Sequence, residues 1–419
     1  DHRDLHSFPT RRSSDLLDNG FWAKNMKEEI AVPGLTATFM ISMKDVTAEV
    51  AKELNSKMTP EERAKKIKEV SDILIKDATN GTHYEAFVRD FYDGNEFYLF
   101  VKETFKDVRL VGTPPQSAGK FGGDTDNWEW PRHTADFSMF RVYAGSDNKP
   151  ADFSDANIPL KPKHSLPISL KGVKQGDYAM IMGFPGRTNR YLTSYGVDQA
   201  ISLEQPKIVD IRAKKLEIMK KYMDQDVEVR LHYSSKYAQV ANYWKYFIGQ
   251  TKQLKANKVA DKKRKLEEEF TKYAAGKAEY ANVLSDIESA FKATNDVIYI
   301  KVYQSEFVRQ VDINSLVYLY KLAVDAKKAG NEDRYKMIMS SAEGTAAEFY
   351  GERSMDIELE TLEEVLKMYI RDVPMEQQVG ITRSIGTDGL ASFMSRVKVN
   401  SIFASKERYD AFMKDFDAD

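Results

Sequence analysis

Residues 121–145, FGGDTDNWEWPRHTADFSMFRVYAG, carry the densest chemical signal in the chain. Gly122-Gly123 permits a backbone path denied to other residues. Asp124, Asp126 and Asn127 can hydrogen-bond their own turn. Trp128, Trp130 and Pro131 form a rigid apolar wedge. Arg132, His133 and Asp136 then place three ionisable groups within five positions. Asp136 stands directly before Phe137–Val142, which alternates like a strand. A carboxylate at a strand's start, shielded by aromatics, is well placed to orient a histidine brought from elsewhere. Two other readings stay open on residues alone. One is a structural loop with Asp136 as a turn or strand cap. The other is a metal site built from Asp124, Asp126 and His133, although the spacing is not a calcium-loop pattern and no second histidine is near.

Positioning such groups takes a folded scaffold, and the composition allows one. The chain has 419 residues and 42% hydrophobic content, enough for a sizeable core. Lys+Arg is 62 against Asp+Glu 64, so a nucleic-acid surface is not its main business. No run approaches the ~18 consecutive apolar residues of a membrane span. There is no cysteine, which removes thiol catalysis, disulfides and thiolate metal sites together. Residues 1–16 read DHRDLHSFPTRRSSDL, polar and without helical or strand period, and look like an adapter-derived segment foreign to the fold.

From Leu17 to about Tyr195 strands and turns dominate. Leu35–Met43 is rich in β-formers. Thr59, Pro60 and Glu62 make a helix start, with an N-cap hydroxyl, proline at the first helical position and a carboxylate three residues after the cap; the helix should reach about Lys76. Residues 87–105 alternate on both sides of Asp93-Gly94, a hairpin signal. Tyr178–Met182 reads as a short buried strand ending in the Gly183–Gly186 turn. After about Ser202 helical periodicity takes over. Tyr233, Tyr237, Val240, Ala241, Trp244 and Ile248 share one helix face, with Asn242, Tyr243 and Tyr246 opposite. The basic run Lys252–Lys265, followed by Glu267–Glu269, reads as a solvated helix with i,i+4 ion pairs.

The run at 122–144 resembles the signature of the bacterial dipeptidyl-peptidase 7/11 family, chymotrypsin-fold serine exopeptidases that remove dipeptides from free N-termini. Residues 19–41 (NGFWAKNMKEEIAVPGLTATFMI), 176–195 (GDYAMIMGFPGRTNRYLTSY) and 240–255 (VANYWKYFIGQTKQLK) resemble it too, and the likeness runs from residue 17 to 419. Ala135 and Glu129 depart from the family's usual glycine and methionine. The resemblance implies an α+β chain: part of a chymotrypsin-like double β-barrel over 17–200, incomplete, followed by an all-helical domain over 201–419, itself truncated. Asp136 aligns with the triad aspartate. Asn127, Trp128 and Arg132 align with residues shaping the site for the substrate's N-terminal end, and Asn242 with the asparagine that binds the free α-amino group.

The same resemblance implies a peptide substrate, no cofactor and no metal, a homodimer in the full-length protein, and a periplasmic or cell-surface location. Acidic versus hydrophobic preference before the cleaved bond stays open. The family's histidine would lie upstream of Gly20–Ala23, and its serine in a Gly-rich turn after the helical domain. No G-x-S-G or G-x-S-x-G run occurs in residues 1–419. The chain is therefore expected to be an internal fragment, inactive as given and poorly soluble through unpaired strand edges. The alternative is a non-catalytic peptide-binding scaffold of the same fold.

Overall fold

The computed structural model describes residues 10–92, 94–123, 126–180, 189–308, 310–414 and 416. Contacts divide the chain into two compact units. The first comprises Asp1–Gly122 and His133–Ile181; the second comprises Gly123–Arg132 and Met182–Asp419.

The first unit holds two antiparallel sheets. One joins β1 (Phe21–Trp22), β2 (Ile30–Ala31), β6 (Asp107–Thr113), β7 (Met139–Ala144) and β8 (Ile158–Pro159). The other runs in the order β3 (Ala37–Asp45), β5 (Glu96–Phe105), β4 (Glu85–Phe91). The expected hairpin is β4–β5, in register from Glu85↔Lys102 to Phe91↔Glu96. Gly94 supplies the positive φ, +84°, that the turn needs, while Asp93 lies outside the described residues. Alternation along β5 turns Phe97 and Leu99 onto Ile67, Val70 and Leu74 of the helix Pro60–Thr79. On the sheet's other face Phe87 and Phe100 stack at 5.0 Å.

The helix Pro60–Thr79 starts as its sequence dictates. The Thr59 hydroxyl accepts from the Glu62 amide at 3.2 Å, and the Glu62 carboxylate accepts from the Thr59 amide at 2.9 Å. Three other expectations fail locally. Residues 1–16 look aperiodic, yet a helix spans Thr10–Asn19, closed by Gly20 at φ +70°, whose amide bonds the Leu16 carbonyl. The strand expected from Phe137 begins only at Met139, because β6 shifts register at Gly112 and its pairing with β7 ends at Gly112↔Met139. Tyr178–Met182 is no buried strand over its described part. Tyr178 and Met180 are 86% and 63% exposed, and an apolar run becomes a strand only where a neighbour takes its backbone hydrogen bonds. The Gly183–Gly186 turn lies outside the described residues.

Among the described residues the second unit is built from helices and contains no strand. Those used below, numbered in chain order for this unit, are α1 (Ser194–Gln199), α2 (Gln205–Met223), α3 (Val227–Ala256), α4 (Val259–Ala274), α5 (Ile298–Tyr303), α6 (Asp312–Lys328) and α7 (Met355–Asp372). Their main core gathers Ile211, Tyr303, Leu316 and Val365. A second cluster packs Leu216 and Met219 of α2 on Tyr233, Val240 and Ala241 of α3 and Ile357 of α7. The aromatic stripe read along α3 is thus its buried face, with Tyr237 and Trp244 half-buried beside it. Ile248 departs at 38% exposed, because here α2 meets α3 through polar groups, Gln205 bonding Gln250 and Thr251. The basic run is broken by Lys258 at φ +49°. Arg264 pairs with Asp198 and Asp261, while Glu267 is not simply solvated: it accepts from the Ser194 amide and hydroxyl at 2.6 and 2.7 Å. No helix among the described residues is long and apolar enough to cross a membrane.

Candidate functional site

The segment Gly123–Arg132 belongs to the helical unit and lies against α3. Gly122 and Gly123 take φ of +77° and +55°, the path their type permits. The Asp126 carbonyl accepts from the Glu129 amide at 3.1 Å and closes a turn. Asn127, expected to bond its own turn, reaches across to α3 instead. Its Nδ2 faces Asn242 Oδ1 at 3.4 Å. The Trp128 indole N–H donates to the same Asn242 oxygen at 2.9 Å. Arg132 Nη1 donates to Asn127 Oδ1 at 3.3 Å. Four residues singled out in the sequence, Asn127, Trp128, Arg132 and Asn242, therefore form one connected polar cluster.

Trp128 bears the cost of this arrangement. Its φ of +62° lies in the left-handed region, where a bulky residue is strained by about 1–3 kcal/mol. Its side chain is 58% exposed, so burial alone does not hold it. The Asn242 bond and the Tyr246 ring, 5.6 Å away at 53°, do. Tyr246, on the α3 face that carries Asn242, is thus brought against Trp128. Its spacing from Asn242, i and i+4 on one helix face, was the available signal. Trp130 follows, 89% exposed.

The helix that presents Asn242 is anchored by half-buried charges gathered around the buried Glu358. Lys236 of α3 bonds Asp312 at 2.6 Å and Glu358 at 3.3 Å, and Arg353 bonds Asp312 at 2.7 Å. Burial raises the Glu358 carboxyl above its usual range, and burial with the nearby Glu358 charge raises the Tyr233 phenol. On α2, Arg212 and Lys215 converge on Glu306, which sits in a π-helical turn, Gln304–Val308, after α5. Burial pushes Lys215 down to about 8; the Glu306 charge opposes this and Arg212 adds to it.

Asp136 and His133 belong to the strand-rich unit. Asp136 is exposed, not shielded by aromatics as expected. The reason is local: Phe137 is itself 47% exposed and packs on Trp22 at 6.0 Å rather than over the carboxylate. Backbone on either side of Asp136 is held, with the Ala135 amide bonded to Ala118 at 3.0 Å and the Phe137 carbonyl to the Thr113 hydroxyl at 3.5 Å. For the metal reading, Asp124 lies outside the described residues, and no three acidic or histidine side chains among the described ones cluster to hold an ion.

The chain belongs to the peptidase S46 family, whose profile matches residues 7–419. It is 39% identical over 413 residues to a dipeptidyl-peptidase 7 of Capnocytophaga gingivalis, covering 97% of this chain and 57% of that protein. An Asp/Glu-specific dipeptidyl-peptidase of the same organism is 40% identical over 386 residues, 90% of this chain and 54% of the relative. Among solved structures, Porphyromonas endodontalis DPP11 in complex with the dipeptide Arg-Glu matches with a TM-score of 0.80 at 30% identity, covering 96% of this chain and 59% of that one. The chain thus spans a little over half the length of these relatives.

Proposed function

We propose that this chain supplies the amine-recognition cluster and the catalytic aspartate of a serine-type dipeptidyl peptidase acting on free peptide N-termini. The observation that carries the reading is the joining of Asn127, Trp128 and Arg132 to Asn242 across 114 residues of sequence. An exopeptidase that counts two residues needs a wall and oxygen acceptors at a fixed distance from its nucleophile. An α-ammonium group has only donors, so it must meet oxygens. Asn242 Oδ1 and Asn127 Oδ1 are such oxygens. The 3.4 Å contact between the two amides is weak enough for an ammonium to displace. Arg132 holds the Asn127 amide in place, and Trp128 stands as the wall.

In this reading Asp136 fixes the tautomer of a histidine and stabilises the imidazolium formed as a serine attacks the peptide carbonyl. The finer architecture, a chymotrypsin-like double barrel with an all-helical domain, belongs to the same proposal, as do a homodimer and a periplasmic or cell-surface location. Residues 1–419 taken alone should hydrolyse nothing, because they contain no Gly-x-Ser-Gly or Gly-x-Ser-x-Gly turn. The test uses chromogenic dipeptidyl substrates. The intact protein should turn them over and be silenced by a serine-directed covalent inhibitor. Turnover by residues 1–419, or inhibitor-insensitive turnover by the intact protein, contradicts the proposal. Free-amine peptide binding without turnover by the intact protein would favour the scaffold alternative.

A further inference from the structure

We infer that Tyr246 is a positioning residue for the amine pocket, locked in place by a relay of amides that ties it to α2. The inference rests on the amine-recognition reading above and deepens it. Trp128 is the member of the cluster with least intrinsic support. Its backbone is left-handed at φ +62° and its side chain is mostly exposed. Of the two side-chain supports named above, Asn242 is the very group assigned to the substrate, so a bound ammonium competes with the indole for the Asn242 oxygen. The support that remains when substrate binds is Tyr246.

The Tyr246 ring is itself restrained. Phe247 meets it edge-on at 5.2 Å. Its hydroxyl accepts from Gln250 Nε2 at 2.5 Å. Gln250 Oε1 accepts from Gln205 Nε2 at 2.6 Å, and Gln205 Oε1 accepts from the Thr251 hydroxyl at 2.6 Å. Gln205 is only 6% exposed and opens α2 just after a π-helical turn, Ala200–Glu204. The side-chain oxygens of Gln250 and Gln205 each have a donor, so the relay's orientation is fixed from the buried end outward. An interface built only to staple α2 to α3 would not need its last member to carry a strained, exposed tryptophan. The arrangement instead carries rigidity from the helix core to the pocket wall.

The test uses the whole 419-residue chain and two readouts. The first is the Trp128 indole N–H resonance, assigned among the four tryptophans with Trp128→Phe. The second is binding of the dipeptide Arg-Glu and its N-acetyl form. Tyr246→Leu should shift the Trp128 resonance and weaken free Arg-Glu binding ~3- to 10-fold, the equivalent of one lost aromatic pair. Tyr246→Phe, which keeps the ring and frees it from Gln250, should fall between Tyr246→Leu and the unaltered chain. Gln250→Leu should weaken binding ~2- to 5-fold with helicity unchanged. Tyr273→Leu, on α4, should change neither readout. An unmoved Trp128 resonance and unchanged binding in Tyr246→Leu overturn the inference while leaving the amine pocket intact. Equal or undetectable binding of the free and acetylated peptides by the unaltered chain overturns the amine-pocket reading itself.

Discussion

Between about pH 8 and 10.5, folding of the helical unit should strip a proton from Lys215, and Lys215→Met should abolish the resulting gain in stability. Lys215 is 3% exposed on α2, with its ammonium against the Glu306 backbone carbonyl and, at 3.3 Å, the Glu306 carboxylate. Arg212 already takes that carboxylate at 2.7 Å, so the Lys215 charge is buried next to a second cation, with Lys236 adding to the repulsion. Burial moves its pKa from 10.5 down to about 8. A lysine depressed on folding destabilises the fold fully below about pH 8, and the penalty vanishes above 10.5. In the window between them the unfolded chain holds more protons, so stability rises with pH by up to ~1.4 kcal/mol per unit. Integrated over the shift, this is on the order of 3 kcal/mol. Methionine fills a similar unbranched space without a charge and leaves Glu306 paired with Arg212. Urea unfolding at pH 7.5 and 10, followed by helical circular dichroism, reads the difference. The unaltered chain should gain ~2–3 kcal/mol more than Lys215→Met between the two pH values. Parallel pH profiles for the two proteins would contradict a depressed Lys215 in the folded state.

Three further outcomes are expected. Under the proposed function, in the whole protein that carries this chain, Asn242→Ala should raise KM for unblocked substrates ~10- to 100-fold, the worth of a charge-assisted hydrogen bond, with a smaller change in kcat; an unchanged KM contradicts its role. Asp136→Asn should lower kcat by up to roughly 10⁴-fold without unfolding the protein, and a kcat near the unaltered value removes Asp136 from the machinery. Thr59→Ala breaks a two-way capping box and should cost about 1 kcal/mol of stability, seen as an earlier urea midpoint.

Features governed by neighbours within a few residues were legible in the sequence. The capping box at Thr59–Glu62, the hairpin around Gly94 and the buried stripe Tyr233–Trp244 all follow from local propensity and period. What failed depends on distant partners. Tyr178–Met180 has strand composition but no neighbouring strand among the described residues, and Phe137 lost its place in β7 to a register shift in β6. The buried charges of Lys215, Glu306 and Glu358 sit in helices where a charged residue normally marks the solvent face, so local pattern carries no sign of their burial. The resemblance singled out Asn127, Trp128, Arg132 and Asn242, but nothing in their spacing says that they touch. The i,i+4 spacing puts Tyr246 on the Asn242 face, but the left-handed Trp128 backbone beside its ring has no sequence signature in a non-glycine residue.

The central claim, that this chain reads a free peptide amine, is tested most directly by mass-spectrometric product analysis. One oligopeptide is given, unblocked and N-acetylated, to the whole protein that carries this chain. The account predicts successive dipeptides from the unblocked peptide and no cleavage of the acetylated one. Equal cleavage of both peptides, or release of single residues or tripeptides, would contradict it.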